Sequence, residues 1–315
     1  MIHVGTSGWS YPAGKGTWNG LFYPPPRAAG RSKFDEITYY AGHFDTVEVN
    51  STFYRVQSPQ TALSWVRRTP PGFLFSIKLF QKFTHPGLYL RKTGLDPWDL
   101  GQKDIDEFRA MLDPIAGAGK LGVLLAQFPA SFQDDAAARE YIDWLLQTFR
   151  DYTMAVELRH KGWGEAGAEA DAILARHGAG LVLIDEPRFA TSIELDRALI
   201  LAADRSRPLY LRLHGRNTAS WWAHEQSEDR YNYLYAREEL TPFVETAAEG
   251  AASGRKVFIY MNNHFSAKAV ANAAIIKADL GQALPGEYPE AMIDRYPDLA
   301  GLVRVAWLPL LPKPS

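Results

Sequence analysis

The sequence predicts a single (β/α)8 TIM barrel with long loops after strands one, three and seven. Three observations carry that reading. Eight short runs rich in β-branched and aromatic residues recur along the chain. Amphipathic helical patterns separate them. The 315-residue length suits one such barrel.

Strands are expected at 2–8, 46–53, 73–79, 121–128, 154–159, 180–186, 209–214 and 256–263. Helices are expected at 33–42, 59–68, 104–117, 134–149, 166–177, 236–251 and 266–280, with a shorter one at 194–203. Ser58-Pro59 reads as an N-cap followed by proline in the first helical position. Gly178 and Gly250 sit where a helix wants a left-handed C-terminal cap. A doubly wound open sheet is the alternative topology. Residues 9–32, 81–103 and 215–235 interrupt the bare repeat as long loops. All three follow strand C-termini, the face where barrel sites are built. The barrel domain is assigned to 1–281, and 282–315 to an extension packed on its outside.

Bulk properties narrow the function classes. The chain has no cysteine, which removes disulfides and thiolate chemistry. Its longest apolar stretches are too short to cross a membrane. No basic-then-apolar leader is visible at Met1-Ile2-His3-Val4-Gly5, so the expected location is cytoplasmic. A net charge of −2 does not support general nucleic-acid binding, although a local basic patch stays open. Oligomeric state is not legible. Gly117-Ala118-Gly119-Lys120-Leu121-Gly122 matches a dinucleotide fingerprint but precedes a strand, so it reads as a helix end and turn.

Chemistry is concentrated where strands end. Runs such as Val47-Glu48-Val49-Asn50 and Leu211-Arg212-Leu213-His214 finish in polar residues instead of turn residues. Side chains alternate along a strand, and the helix-facing side should be apolar. Glu48, Asn50, Lys78, Gln127, Glu157, Arg159, Arg212, His214 and Asn262 should therefore point into the barrel mouth. Asp185 and Glu186 have opposite parity. Asp185 is assigned inward, with Leu183 in the core layer below it.

The segments Val4-Gly5-Thr6-Ser7-Gly8-Trp9-Ser10-Tyr11, Val47 to Arg55, Leu125-Ala126-Gln127-Phe128-Pro129, Val156 to His160, Arg212 to Arg216 and Asn262-Asn263-His264 together resemble the family catalogued as domain of unknown function 72, the YecE-like family. The resemblance runs from about residue 2 to 280 and implies a TIM barrel. It implies no reaction. Ala13-Gly14-Lys15-Gly16 looks inserted relative to that pattern, and Val56-Gln57 stands where an apolar residue and proline are expected.

Three cations facing carboxylates suit a small anionic substrate. Arg159 and Arg212 can clamp a phosphate or carboxylate. Glu48, Glu157 and His214 are the candidates for proton transfer. Lys78 is an electrostatic partner or, if desolvated, a Schiff-base nucleophile. The substrate-binding set comprises Asn50, Arg159, Arg212, Asn262, Asn263, His264, Trp9, Tyr11, Tyr54, Gln127 and Asp185. The leading reading is a hydrolase or lyase using acid–base chemistry. No cofactor is expected. A divalent metal on Glu157, Asp185, His214 and Asn262 or His264 is one alternative. Sugar stacking on Trp9, Trp18, Trp163, Trp221 and Trp222, with paired carboxylates for glycoside hydrolysis, is another. Arg55, Arg216 and Arg230 beside aromatic residues would suit a nucleic-acid strand. A non-catalytic binding protein, or a structural salt-bridge network, would use the same charges.

Overall fold

A computed structural model describes residues 1–25, 34–94, 100–195, 197–222, 226 and 228–306. Eight parallel strands close into a barrel: β1 (Ile2–Ser7), β2 (Thr46–Val49), β3 (Leu74–Lys78), β4 (Leu121–Gln127), β5 (Met154–Glu157), β6 (Gly180–Asp185), β7 (Leu209–Leu213) and β8 (Val257–Met261). β1 pairs with both β2 and β8, so the sheet has no free edge. The main crossover helices are Glu36–Ala41, Pro59–Arg67, Gln102–Gly117, Ala136–Thr148, Gly167–Arg176, Arg197–Ala202, Arg237–Ala252 and Lys268–Asp279. The Ser58 hydroxyl accepts from the Thr61 N–H, and Pro59 opens that helix as its sequence requires.

The core has two layers because each strand is buried on both faces. Val123, Leu125, Ala155, Val182, Tyr210, Phe258 and Tyr260 fill the barrel interior. Val47, Ile77, Leu124, Val156, Leu211 and Ile259 face the helices.

Local departures from the expected elements occur where strands meet loops. β2 stops at Val49, and Asn50 adopts a right-handed helical backbone that starts the turn Ser51–Tyr54. The Thr52 hydroxyl donates to the Val49 and Lys78 carbonyls, satisfying groups that a longer strand would have paired. The expected loop 81–103 contains short helices at Gln81–Thr84 and Pro86–Thr93. The loop after β7 contains Ala219–Trp222 and a 3-10 turn at Asp229–Tyr231. Parts of all three long loops, and of the tail beyond 306, lie outside the described residues. Before that point, two short strands, Glu287–Tyr288 and Arg304–Val305, pair with each other beside the barrel. Tyr288, Met292 and Leu299 are buried in the helix-facing core. Among the described residues no helix is long and apolar enough to cross a membrane.

β6 corrects one assignment. Val182 packs in the barrel interior with Ile184 against it, while Leu183 packs with the helices. Parity then turns Asp185 outward and Glu186 inward. Asp185 accepts from Arg216 Nε at 2.9 Å and from the Tyr235 hydroxyl at 2.6 Å. Glu186 instead pairs with Arg159 at 3.2 Å.

Candidate functional site

The strand C-termini build the site in two tiers. The lower tier is an ion network built on two fully buried carboxylates, Glu48 and Glu157. The fully buried Glu48 on β2 accepts from Ser7 Oγ at 2.8 Å and the Tyr210 hydroxyl at 2.7 Å. It also accepts from Arg212 Nε at 2.9 Å and Nη2 at 2.7 Å. Arg212 Nη1 donates to Glu157, which also accepts from Arg159 Nε at 2.7 Å. Burial and the Glu48 charge hold the Tyr210 phenol well above its usual range, so it remains a donor. Every charge in this tier is matched, as buried charges must be.

The upper tier is a cavity of about 190 Å³. Tyr11, Asn50, Tyr54, Lys78, Gln127, Arg159, Arg212, His214, Tyr231, Asn262 and His264 line it. Loop contacts fix its rim. Tyr11 stacks on His264 with ring centroids 4.2 Å apart, and its hydroxyl donates to the Ser7 carbonyl. Trp18 Nε1 donates to the His264 carbonyl at 2.6 Å, and the Ser266 N–H to the Gly16 carbonyl at 2.9 Å. Ser266 and Ala267 both have positive φ, 52° and 59°, a strained pair at the turn that leads into the helix Lys268–Asp279.

Protonation follows from this geometry. Burial alone would raise the Glu157 pKa, but the Arg212 and Arg159 guanidiniums hold it well below the usual carboxylate range. Burial, then Arg212 and Arg159, push the His214 pKa well below that of a free imidazole. Its Nδ1 lies 2.8 Å from the Asn262 amide, and its Nε2 is flanked by guanidinium nitrogens at 3.4 and 3.5 Å. The ring is therefore neutral at pH 7. Burial lowers the His264 pKa to about 3. Burial, Lys78 and Arg159 lower that of His85 to about 3. Lys78 stands apart. Burial and Arg212 bring its pKa down to about 7, although Glu157 and Glu48 pull the other way. Lys78 lines the cavity, and its ammonium donates to Gln127 Oε1 at 2.5 Å and lies 4.1 Å from the centre of the Phe53 ring. The nearby carboxylates are themselves engaged by arginines.

The candidate residues divide accordingly. Asn50, Lys78, Gln127, Arg159, Arg212, His214, Asn262, His264, Tyr11 and Tyr54 meet at the cavity. Glu48 and Glu157 lie beneath it. Asp185 and Asn263 point away from it, Asn263 donating to the Tyr233 carbonyl and to Asn272. Trp9 packs edge-on against Trp65. Trp18, Trp163 and Trp221 are buried, so their faces are unavailable to a sugar. The Trp222 side chain lies outside the described residues. With Asp185 turned outward, the four-residue metal set does not converge. Among the described residues no three His, Asp or Glu side chains form a metal-binding group. A larger depression, about 630 Å³, lies between Lys82 and Trp144 and is mainly apolar; the strand-end ion network does not line it.

Comparison with known proteins bears on this architecture. The family described as "Protein of unknown function DUF72" matches residues 3–292. The chain belongs to the DUF72 family. It is 27% identical over 278 residues to the UPF0759 protein YunF of Bacillus subtilis, covering 86% of this chain and 92% of that protein. It is 27% identical over 190 residues to the UPF0759 protein YecE of Escherichia coli K12, 59% of each chain. A DUF72 family protein of Thermotoga maritima superposes with a TM-score of 0.72 at 31% identity, covering 90% of this chain and all of that one (100%). One from Enterococcus faecalis gives 0.72 at 22% identity, covering 90% and 96%. The family name carries no activity, so chemistry must be read from this DUF72 barrel itself.

Three residues at or beside the site escaped the sequence reading. Glu186 was excluded by the β6 parity assignment. Tyr231 sits in the loop after β7, at the end of the 3-10 turn Asp229–Tyr231. His85 sits in the loop after β3, its Nε2 3.5 Å from Gln127 Nε2. Strand parity cannot place loop residues, so neither Tyr231 nor His85 carried a usable signal.

Proposed function

We propose that the protein is an enzyme acting on a small phosphate- or carboxylate-bearing substrate at the barrel mouth, as a hydrolase or lyase. The observation that carries this is the order of the tiers. Arg159, Arg212 and Lys78 line the cavity, whereas Glu48, Glu157 and Glu186 do not. A ligand therefore meets cations and amide donors first. Bidentate guanidinium contacts are the natural partners of an oxyanion.

Proton transfer is assigned to Lys78. Glu157 is too weak a base near neutrality, and Glu48 already accepts four hydrogen bonds. A group titrating at about 7 is matched to acid–base work at physiological pH. Glu157 positions the two arginines.

Calorimetric titration with inorganic phosphate and a small monocarboxylate tests the anion site. Arg159→Ala should weaken binding about tenfold. Unchanged affinity, or a preference for cations, rejects the site. Once a substrate is found, Lys78→Met should remove turnover. Binding without turnover across an anion panel would instead make this a binding protein.

A further inference from the structure

We propose that Lys78 is an imine-forming lysine, and that the cavity accepts a small carbonyl compound bearing a carboxylate or phosphate. The proposal rests on the anion-site reading and names its substrate class.

Lys78, half-buried at the cavity, is partnered differently from the buried lysines. Lys82 is ion-paired with Asp104 at 2.8 Å. Lys277 lies 3.7 Å from Asp45 and donates to Gln282. Lys120 donates to the Val66 carbonyl and to the Thr69 carbonyl and hydroxyl. Lys78 has one neutral acceptor, Gln127 Oε1, and among the described residues no carboxylate within ion-pair distance. The Phe53 ring shields it from one side. It shares the cavity with two arginines. A desolvated amine beside other cations is the setting in which lysine becomes a nucleophile. The same arginines would hold the substrate's anionic group and bring its carbonyl to Nζ. The cavity's 190 Å³ equals roughly six waters at ~30 Å³ each, enough for a three- or four-atom carbonyl skeleton with one anionic group.

The chemistry balances without a cofactor. The Nζ lone pair forms a bond to the carbonyl carbon, and the carbonyl oxygen takes a proton to give a carbinolamine. Loss of that hydroxyl with a proton, as water, leaves the C=N bond. The net change is amine plus carbonyl to imine plus water. The protonated imine then takes the electron pair of a bond broken at the adjacent carbon and becomes an enamine, while the departing fragment leaves as carbon dioxide or as a carbonyl compound that gives up its hydroxyl proton. Protonation of the enamine carbon and addition of water release the product and the free amine, which fits a lyase.

Reductive trapping is the test. The full-length protein is incubated near neutral pH with cyanoborohydride and pyruvate, glycolaldehyde phosphate or uncharged acetone, then peptide-mapped by mass spectrometry. Hydride adds to the imine carbon and fixes it as a secondary amine. The expected result is one adduct at Lys78 with pyruvate or glycolaldehyde phosphate, which separates a carboxylate from a phosphate substrate. It should exceed acetone labelling at least about tenfold, as anion docking requires. Lys78→Arg should lose it; Lys78→Met serves if the thermal melt shows the arginine variant misfolded. The trapping rate should rise with pH through about 7, well below the ~10.4 of free lysines. Absence of a Lys78 adduct, or equal labelling of surface lysines, overturns the imine. Saturable phosphate binding without an adduct overturns the imine alone. Neither binding nor adduct brings down the anion site as well.

Discussion

The two ends of the barrel bury cations in different ways. At the N-terminal ends of the strands, Lys120 spends its three donors on the Val66 and Thr69 carbonyls and the Thr69 hydroxyl. Arg255 donates to the carbonyls of Arg207, Ile200 and Pro208 at 3.0, 2.5 and 2.9 Å. Arg207 reaches the Ala179 carbonyl and Asp171. These groups tie off backbone that would otherwise be buried and unpaired. At the C-terminal ends, Arg212 pairs with Glu48 and Glu157 yet still lines the cavity, Lys78 has a single amide oxygen, and Arg159 turns toward the same cavity. One end uses buried charge to finish the fold. The other leaves donor capacity unspent, which is what a binding site needs.

The largest effect should come from Arg212→Ala. It would leave Glu48 and Glu157 buried without their shared partner, costing about 3–5 kcal/mol. Urea denaturation checks this, and a loss under about 1 kcal/mol would mean the lower tier is not a coupled network. Lys120→Met comes next, with a loss of about 1–3 kcal/mol from its abandoned acceptors and no change in anion affinity.

Lys78→Met sharpens the contrast because its sign is opposite. Between about 7 and 10.5 the unfolded chain holds a proton on Lys78 that the folded chain has released. Stability therefore rises with pH across that window, and the full penalty is present below it. Removing the amine should stabilise the protein at pH 6 by on the order of 1–2 kcal/mol and flatten the slope above neutrality. Thermal melts of both proteins across the window would show it; destabilisation at pH 6 would contradict the assignment. Arg159→Ala should cost about 1–3 kcal/mol, because it removes the ion pair of Glu186 and one of the two arginines on Glu157. It should also weaken anion affinity, which Lys120→Met should not.

Most of this contrast is legible in the sequence for a physical reason. A charge inside a strand has few places to go, so Glu48, Lys78, Glu157 and Arg212 announce a polar barrel interior. Their roles are harder to read. Whether Glu157 is a free base or a clamp depends on Arg212, which is 55 residues away. β6 was misassigned because both faces of a buried parallel strand are apolar; Val182, Leu183 and Ile184 offer no alternation to orient it. The register with β7 supplies the missing information. Ile184 lies beside Arg212, and neighbours in register point the same way.

The contact between Trp18 and the His264 carbonyl joins residues 246 positions apart. A ribosome releases the first half of this bond long before the second exists. Chains grow from the N-terminus and distant pairings form last, so the cavity rim is completed only when nearly the whole barrel has been made. Nascent or truncated chains would carry Lys78 without the enclosure that sets its pKa, and the reactive amine would emerge only in finished molecules.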